Sequence, residues 1–298
     1  MFTRRTVMKL TAAAGAATLM SSTGSKAAEA GLTWTHYPAG ETGFNRAPVL
    51  VTGETEALLI DGGFTLSDGR KLAEEIKATG KKLTTIYVSQ SDPDFYFSLR
   101  PIVEAFPDAR VIAASATVAA INANVEKKIA TWGPQLGDNG PKSVDEVVIP
   151  AVYDEPTLSV DGHEISIVTA EGLANRRYLW SEDLQAVFGG VMIFSDVHVW
   201  VADTQTKEQR AAWVANLDAI IARNPEVVVP GHMTPDAPLG VVAVEYTKAY
   251  LLAFEEELAK AGNSAELIAA MKARFPDLGG VANLELGAKV ATGEMKWG

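Results

Sequence analysis

The sequence predicts an α+β fold, a four-layer αββα sandwich with two sheets face to face and helices outside. Three observations predict it. Both halves of the chain intersperse short apolar strand-like runs with amphipathic helical ones, which calls for layers of each. Hairpin signals recur, Gly53-Glu54 and Asp161-Gly162 among them, more often than a doubly wound parallel sheet would carry them. The run 83–88 reads as a buried strand, followed by a short polar loop and the start of a helix.

The elements follow in order. Residues 32–37, 48–52 and 56–60 read as strands, the last ending at Asp61-Gly62-Gly63, where glycine permits a sharp turn. Residues 65–79 form an amphipathic helix through Leu66, Leu72, Ala73 and Ile76, stopped by Gly80. After strand 83–88 a polar loop leads into a helix over 96–106, whose regular part Pro101 delays or bends. Strand 110–113 precedes a helix over 115–128, with Ser115 placed to cap it. Gly and Pro in 130–141 predict a long loop carrying Trp132, and long loops in compact domains often bind ligands. Strands are expected at 146–149, 157–160, 163–169, 177–180, 185–188 and 226–229. Helices are expected at 206–223, 241–261 and 264–275.

Of the 298 residues, 47% are apolar, enough to bury a large core. Arg4-Arg5 opens a basic segment that runs into a modest apolar stretch, 10–20, and small residues near Ala28. This is an export signal of the twin-arginine type, too short in its apolar part to span a bilayer. The expectation is a signal over 1–28, one domain over 29–298, and a periplasmic location. There is no cysteine, so neither disulfides nor thiolate chemistry contributes. A net charge of −11, more acidic once the basic signal is removed, disfavours nucleic acid and anionic membranes as partners. The oligomeric state is left open.

Thr85–Leu99 carries the chemistry-bearing cluster Gln90, Asp92 and Asp94, just past the carboxyl end of a strand. Gln90-Ser91-Asp92-Pro93-Asp94-Phe95 resembles the His-x-His-x-Asp-His signature of the metallo-β-lactamase fold with its histidines replaced. Further segments resemble that fold in the same order: Leu58-Leu59-Ile60-Asp61-Gly62-Gly63, Ala170-Glu171-Gly172-Leu173, Phe188-Gly189-Gly190-Val191, and Val229-Pro230-Gly231-His232. The resemblance runs from about Thr33 to Trp297 and implies the sandwich already predicted.

A complete site of that family holds two zinc ions, which acidify a bound water and polarise the bond to be cut. The resemblance places Gln90, Asp92, Asp94, Phe95, Leu173, Val191 and His232 at the ligand positions. Phe95, Leu173 and Val191 have no donor atom, so the two-zinc site is not expected and no metal residue is assigned. Asp92, Asp94 and His232 would at most hold a single harder divalent ion through oxygen-rich ligation. Asp94 and His232 are expected to face each other, as an acid/base pair or as a buried pair filling the old cavity. Asp92 and Asp94 flank Pro93, and a shared pocket would raise one of their pKa values.

His198 and Trp200, just past the position of the bridging ligand, and Gln90 and Tyr96 are candidate ligand contacts; backbone-satisfied or core roles are the alternatives. His36 and His163 read as structural or exposed. Together these residues imply a small-molecule-binding protein or pseudoenzyme. The alternative is an atypical hydrolase of a small ester, lactone or lactam using Asp94 and His232, with Asp92 beside them.

Overall fold

Strands whose two faces are both apolar sort their side chains into two separate cores, and this sorting builds the molecule. A computed structural model describes residues 31–297. The export segment read at 1–28 lies outside the described residues.

The first sheet has six strands in the order β1 (Thr33–His36), β2 (Val49–Thr52), β3 (Glu56–Ile60), β4 (Lys82–Tyr87), β5 (Arg110–Ala113) and β6 (Ala151–Val152). Its first three strands pair antiparallel and the rest parallel, so the sheet is mixed. The second sheet runs β12 (Val227–Val229), β10 (Ala186–Phe188), β9 (Arg177–Ser181), β8 (His163–Thr169), β7 (Thr157–Val160). It too is mixed, since β10 pairs antiparallel with β9 and parallel with β12. A separate parallel pair, β11 (Phe194–Ser195) with β13 (His232–Met233), belongs to neither sheet.

Strand periodicity divides the side chains. Val49, Val51, Leu58, Ile60 and Tyr87 of the first sheet meet Leu158, Ile165, Leu179 and Phe188 of the second in one buried cluster. Leu50, Leu59, Ile86 and Val88 point the other way, into the cluster shared with the helices. Those helices are α1 (Leu66–Ala78), α2 (Leu99–Ala105), α3 (Ser115–Leu136), α4 (Lys207–Ala222), α5 (Val241–Leu258), α6 (Ser264–Arg274) and α7 (Val281–Ala291). The result is the expected αββα sandwich. None of the described helices is long and apolar enough to cross a membrane.

The helix ends follow local chemistry. Thr65 caps α1 and Thr206 caps α4, each in a reciprocal capping box with Asp68 and Gln209. α2 begins at Leu99 because Pro93–Phe95 first forms a 3-10 turn, and Pro101 falls in the first helical turn, where its missing N–H does no harm.

Four expectations need correction. The loop read at 130–141 is helical to Leu136: α3 passes through Pro134 because Trp132 and Leu136 are buried anchors, and packing overrides the local Gly-Pro signal. Ser115 does not cap that helix; Ala114 holds the cap position, and the Ser115 amide donates to Asp154 at 2.8 Å. Residues 144–146 are a 3-10 turn and the strand follows at Ala151–Val152, displaced from 146–149. A third closing helix, α7, follows α6 where none is expected after 275; its apolar side, Leu284, Ala288 and Val290, is buried.

Candidate functional site

The signature loop starts where β4 ends and is fixed by a carboxylate from the neighbouring strand. Asp61, in a left-handed conformation just past β3, accepts from the Ser89 amide at 2.6 Å and the Ser89 hydroxyl at 2.8 Å. The Gly62 amide donates to the Phe95 carbonyl at 2.8 Å, and the Gly63 amide to the Ser98 hydroxyl at 2.6 Å. The turn after β3 therefore holds both ends of the loop that carries Gln90, Asp92, Asp94 and Phe95.

Asp61 Oδ2 also accepts from a residue that sequence reasoning missed. Arg46 is 1% exposed, pairs with Asp61, and donates to the Gly231 carbonyl. Its guanidinium lies 3.9 Å from the centre of the Phe95 ring. Gly231 is required there: a Cβ would fall 1.7 Å from the Gly190 carbonyl oxygen and 2.8 Å from Arg46 Nη1. No periodicity marks Arg46, since it lies between β1 and β2, its partner just past β3 and its stacking ring in the loop.

Of the expected pair, His232 Nε2 and Asp94 Oδ2 stand 2.8 Å apart. The imidazole is buried, stacked on Phe194 at 4.7 Å between ring centres and edge-on to Phe95 at 5.8 Å. Burial pushes the His232 pKa down, and the positive charges of Arg46 and Arg176 add to this against the pull of Asp94. Burial pushes Asp94 the other way, but the hydrogen bond and charge of His232, with Arg46, outweigh it and hold the carboxyl below its usual range. His232 Nδ1 is buried without a partner. A neutral ring with its proton on Nε2 satisfies all of this, because the orphan is then an acceptor and not a buried N–H.

Asp92 behaves oppositely. Burial and the Asp203 carboxylate push it up to about 7, against the pull of Lys128, whose Nζ lies 2.9 Å from Oδ1. In the folded state Asp92 thus keeps its proton between pH 3.8 and about 7, where the unfolded chain has lost it. The fold binds more protons in that window, so this site's contribution to stability falls as pH rises through it. We expect the stability of Asp92→Asn minus that of wild type to grow from pH 4 to pH 8 in urea titrations. The slope is the readout, since the unpaired Lys128 adds only a constant offset. A flat difference would show that Asp92 is not raised.

Two adjoining cavities lie over the loop. The inner chamber, about 40 Å³, is walled by Asp92, Asp94, Phe95, Val191, His232, Asn283 and a ring of aromatic side chains: Phe44, Phe64, Trp132, Trp200 and Trp297. The outer pocket, about 440 Å³, shares Asp92, Lys128, Trp132 and Trp297 with it and adds Gln90, Asn175 and Arg176. The outer volume is in the range of small-molecule sites.

The structure brings together Asp92, Asp94, His232 and Trp200 in the chamber, with Gln90 in the outer pocket. Trp200 is oriented by donating to Asp203 at 2.7 Å, and Gln90 by accepting from Asn175 at 3.0 Å. Tyr96 and His198 line neither cavity and are each 1% exposed. Tyr96 packs edge-on to Phe97, and His198 bonds through Nδ1 to the Tyr250 hydroxyl at 2.9 Å. Burial lowers the His198 pKa to about 4, which suits a neutral core imidazole. At the surface, His163 pairs with Asp183 at 2.7 Å.

The donor positions of the resemblance can now be tested against the residues that fill them. Phe95 and Val191 wall the chamber with hydrocarbon, and Leu173 is buried in the core off its walls. Arg46 brings a fixed positive charge against Phe95, and Lys128 already occupies Asp92 Oδ1. Among the described residues no group of three or more His, Cys, Asp or Glu side chains is placed to hold a metal ion. These residues do not fit a two-zinc centre.

Comparison with known proteins places the fold. The chain is similar to the crystal structure of DIM-1 metallo-β-lactamase, with a TM-score of 0.52 and 15% identity over 74% of this chain and 93% of that one. It is similar to a metallo-β-lactamase from Pontibacter korlensis, with a TM-score of 0.51 and 17% identity over 74% and 94%. The BLEG-1 B3 metallo-β-lactamase matches with a TM-score of 0.51 and 15% identity over 72% and 96%. No family model and no curated protein matches the sequence. At these identities the likeness shows the fold: the chain has the metallo-β-lactamase fold and lacks its usual metal-binding cluster among the described residues.

Proposed function

We propose that this is an exported protein that binds a small molecule in the paired cavities over the signature loop, on a hydrolase fold whose metal seats its own side chains fill. The observation that supports this most is the substitution pattern in space. Phe95 and Val191 make the chamber apolar where the fold would carry donors, while the cavity beside it keeps a ligand-sized volume. Export rests on the basic Arg4-Arg5 segment and the apolar stretch after it.

Native mass spectrometry of protein taken from its own compartment tests the binding role. A small molecule retained at one per chain, and lost when Trp132→Ala opens the chamber wall, is the expected result. Protein that never carries a ligand, yet hydrolyses an ester or lactone, would overturn it.

The second reading, an atypical hydrolase, draws on one observation. Asp94 and His232 reach the chamber wall as a hydrogen-bonded pair, next to an Asp92 that still holds a proton near pH 7. It predicts turnover that Asp94→Asn and His232→Ala both abolish. The shielded Nδ1 of His232 weighs against it, because the ring nitrogen left free has no path to a substrate proton.

A further inference from the structure

Four of the described arginines are buried, and three of them have hydrogen-bonded partners for their terminal nitrogens. Arg46 meets Asp61 and the Gly231 carbonyl, Arg177 meets Thr117 and Asn175, and Arg210 meets Glu255 and the Thr204 carbonyl. Arg176 does not follow them. It is 2% exposed, its guanidinium stacks on the Trp213 indole at 4.3 Å, and both Nη1 and Nη2 are buried without any hydrogen-bond partner. A buried guanidinium normally uses its planar fork on a carboxylate or phosphate, and leaving it bare is strongly unfavourable.

The nearby carboxylates are already committed. Asp203 accepts from Trp200 and Trp297, both at 2.7 Å, and Asp92 accepts from Lys128 at 2.9 Å. Arg176 lines the outer pocket, in a wall that also presents Lys127, Lys128 and Lys296 and the polar groups of Ser91 and Asn175. This concentration of positive charge stands out in a chain of net charge −11.

We propose that the outer pocket is a carboxylate-binding site. Arg176 receives the anionic end of a small monocarboxylate, and the aromatic chamber beyond Trp132 and Trp297 receives its apolar end. This rests on the binding role proposed above and names the ligand's chemical class. One feature selects a carboxylate over a phosphate. The guanidinium fork serves either oxyanion, but the wall already holds the Asp203 carboxylate, which would repel a second negative charge. The terminal nitrogens are closed to water, so binding includes a small rotation of the guanidinium toward the pocket.

The test is thermal melting of metal-free full-length protein at fixed ionic strength, with phenylacetate, neutral phenylacetamide, inorganic phosphate and chloride as probes. Phenylacetate at ten times its dissociation constant should raise the melting temperature of the wild type by about 2–4 °C. Phenylacetamide and chloride should leave it unmoved. Arg176→Met should melt no lower than wild type without ligand, since a bare buried charge is replaced by hydrocarbon, and should lose the response. Arg176→Lys keeps the charge without the fork and should lose most of it.

A phenylacetate response that persists in Arg176→Met, or a wild type that does not respond, would overturn the site. A larger response to phosphate would overturn the carboxylate assignment. Failure of the binding role is read separately: a neutral retained ligand, or turnover, in the experiments above would show it whatever Arg176 does.

Discussion

Arg46→Ala should destabilise the protein by about 3–5 kcal/mol, the scale expected when one partner of a buried ion pair is removed and the other left charged. The reason is the company that Asp61 keeps. Among the described residues Arg46 is its only counter-ion within hydrogen-bonding distance, and both side chains are essentially closed to water, at 1% and 0% exposed. Burial lowers the Arg46 pKa and raises that of Asp61, so each is held charged largely by the other. Asp61 cannot be released to solve the problem, because the Ser89 amide and hydroxyl depend on it to start the signature loop. Arg46→Lys should recover part of the loss, since an ammonium can meet Asp61 but cannot also reach Gly231 and cover Phe95. Urea denaturation of the three proteins checks this. A loss below about 1 kcal/mol for Arg46→Ala, the range of an exposed ion pair, would mean that the pair is solvated.

Phe95→Ala should cost a comparable amount, about 3–5 kcal/mol, as a large aromatic side chain removed from a packed core. Phe95 is 1% exposed and lies between the Arg46 guanidinium and the edge of the His232 ring. Its removal leaves a cavity and strips the cation of its aromatic face. In a metal centre this position would carry a ligand whose loss in the metal-free protein would cost little. Here the same position is part of the core. Phe95→His should therefore also destabilise, and should not recruit zinc, because the new imidazole would stand against a fixed guanidinium.

The fold was readable because its signals are local. Gly53-Glu54 and Asp161-Gly162 mark hairpins by turn chemistry alone, and the Thr65 and Thr206 caps lie three residues from their partners. Where packing overrides local preference the reading fails. Pro134 looks like a break, yet Trp132 and Leu136 find a core that carries α3 past it. The site divides in the same way. That Phe95, Leu173 and Val191 carry no donor is visible from residue type, and the closeness of Asp94 to His232 follows from the fold. What fills the vacated space is not visible, because Arg46 meets Asp61, and Lys128 meets Asp92, across separate elements with no spacing rule between them. Tyr96 and His198 look like pocket residues by chain position, and each is turned into the core by packing on Phe97 and Tyr250.

One measurement bears on all of this: the zinc content, by elemental analysis, of the folded protein dialysed to equilibrium against micromolar zinc. With hydrocarbon at Phe95 and Val191, a guanidinium over the ring, and Lys128 on Asp92, we expect no stoichiometric zinc and no shift in melting temperature on adding it. Zinc held tightly at one or more ions per chain, and lost together with stability in His232→Ala, would contradict it.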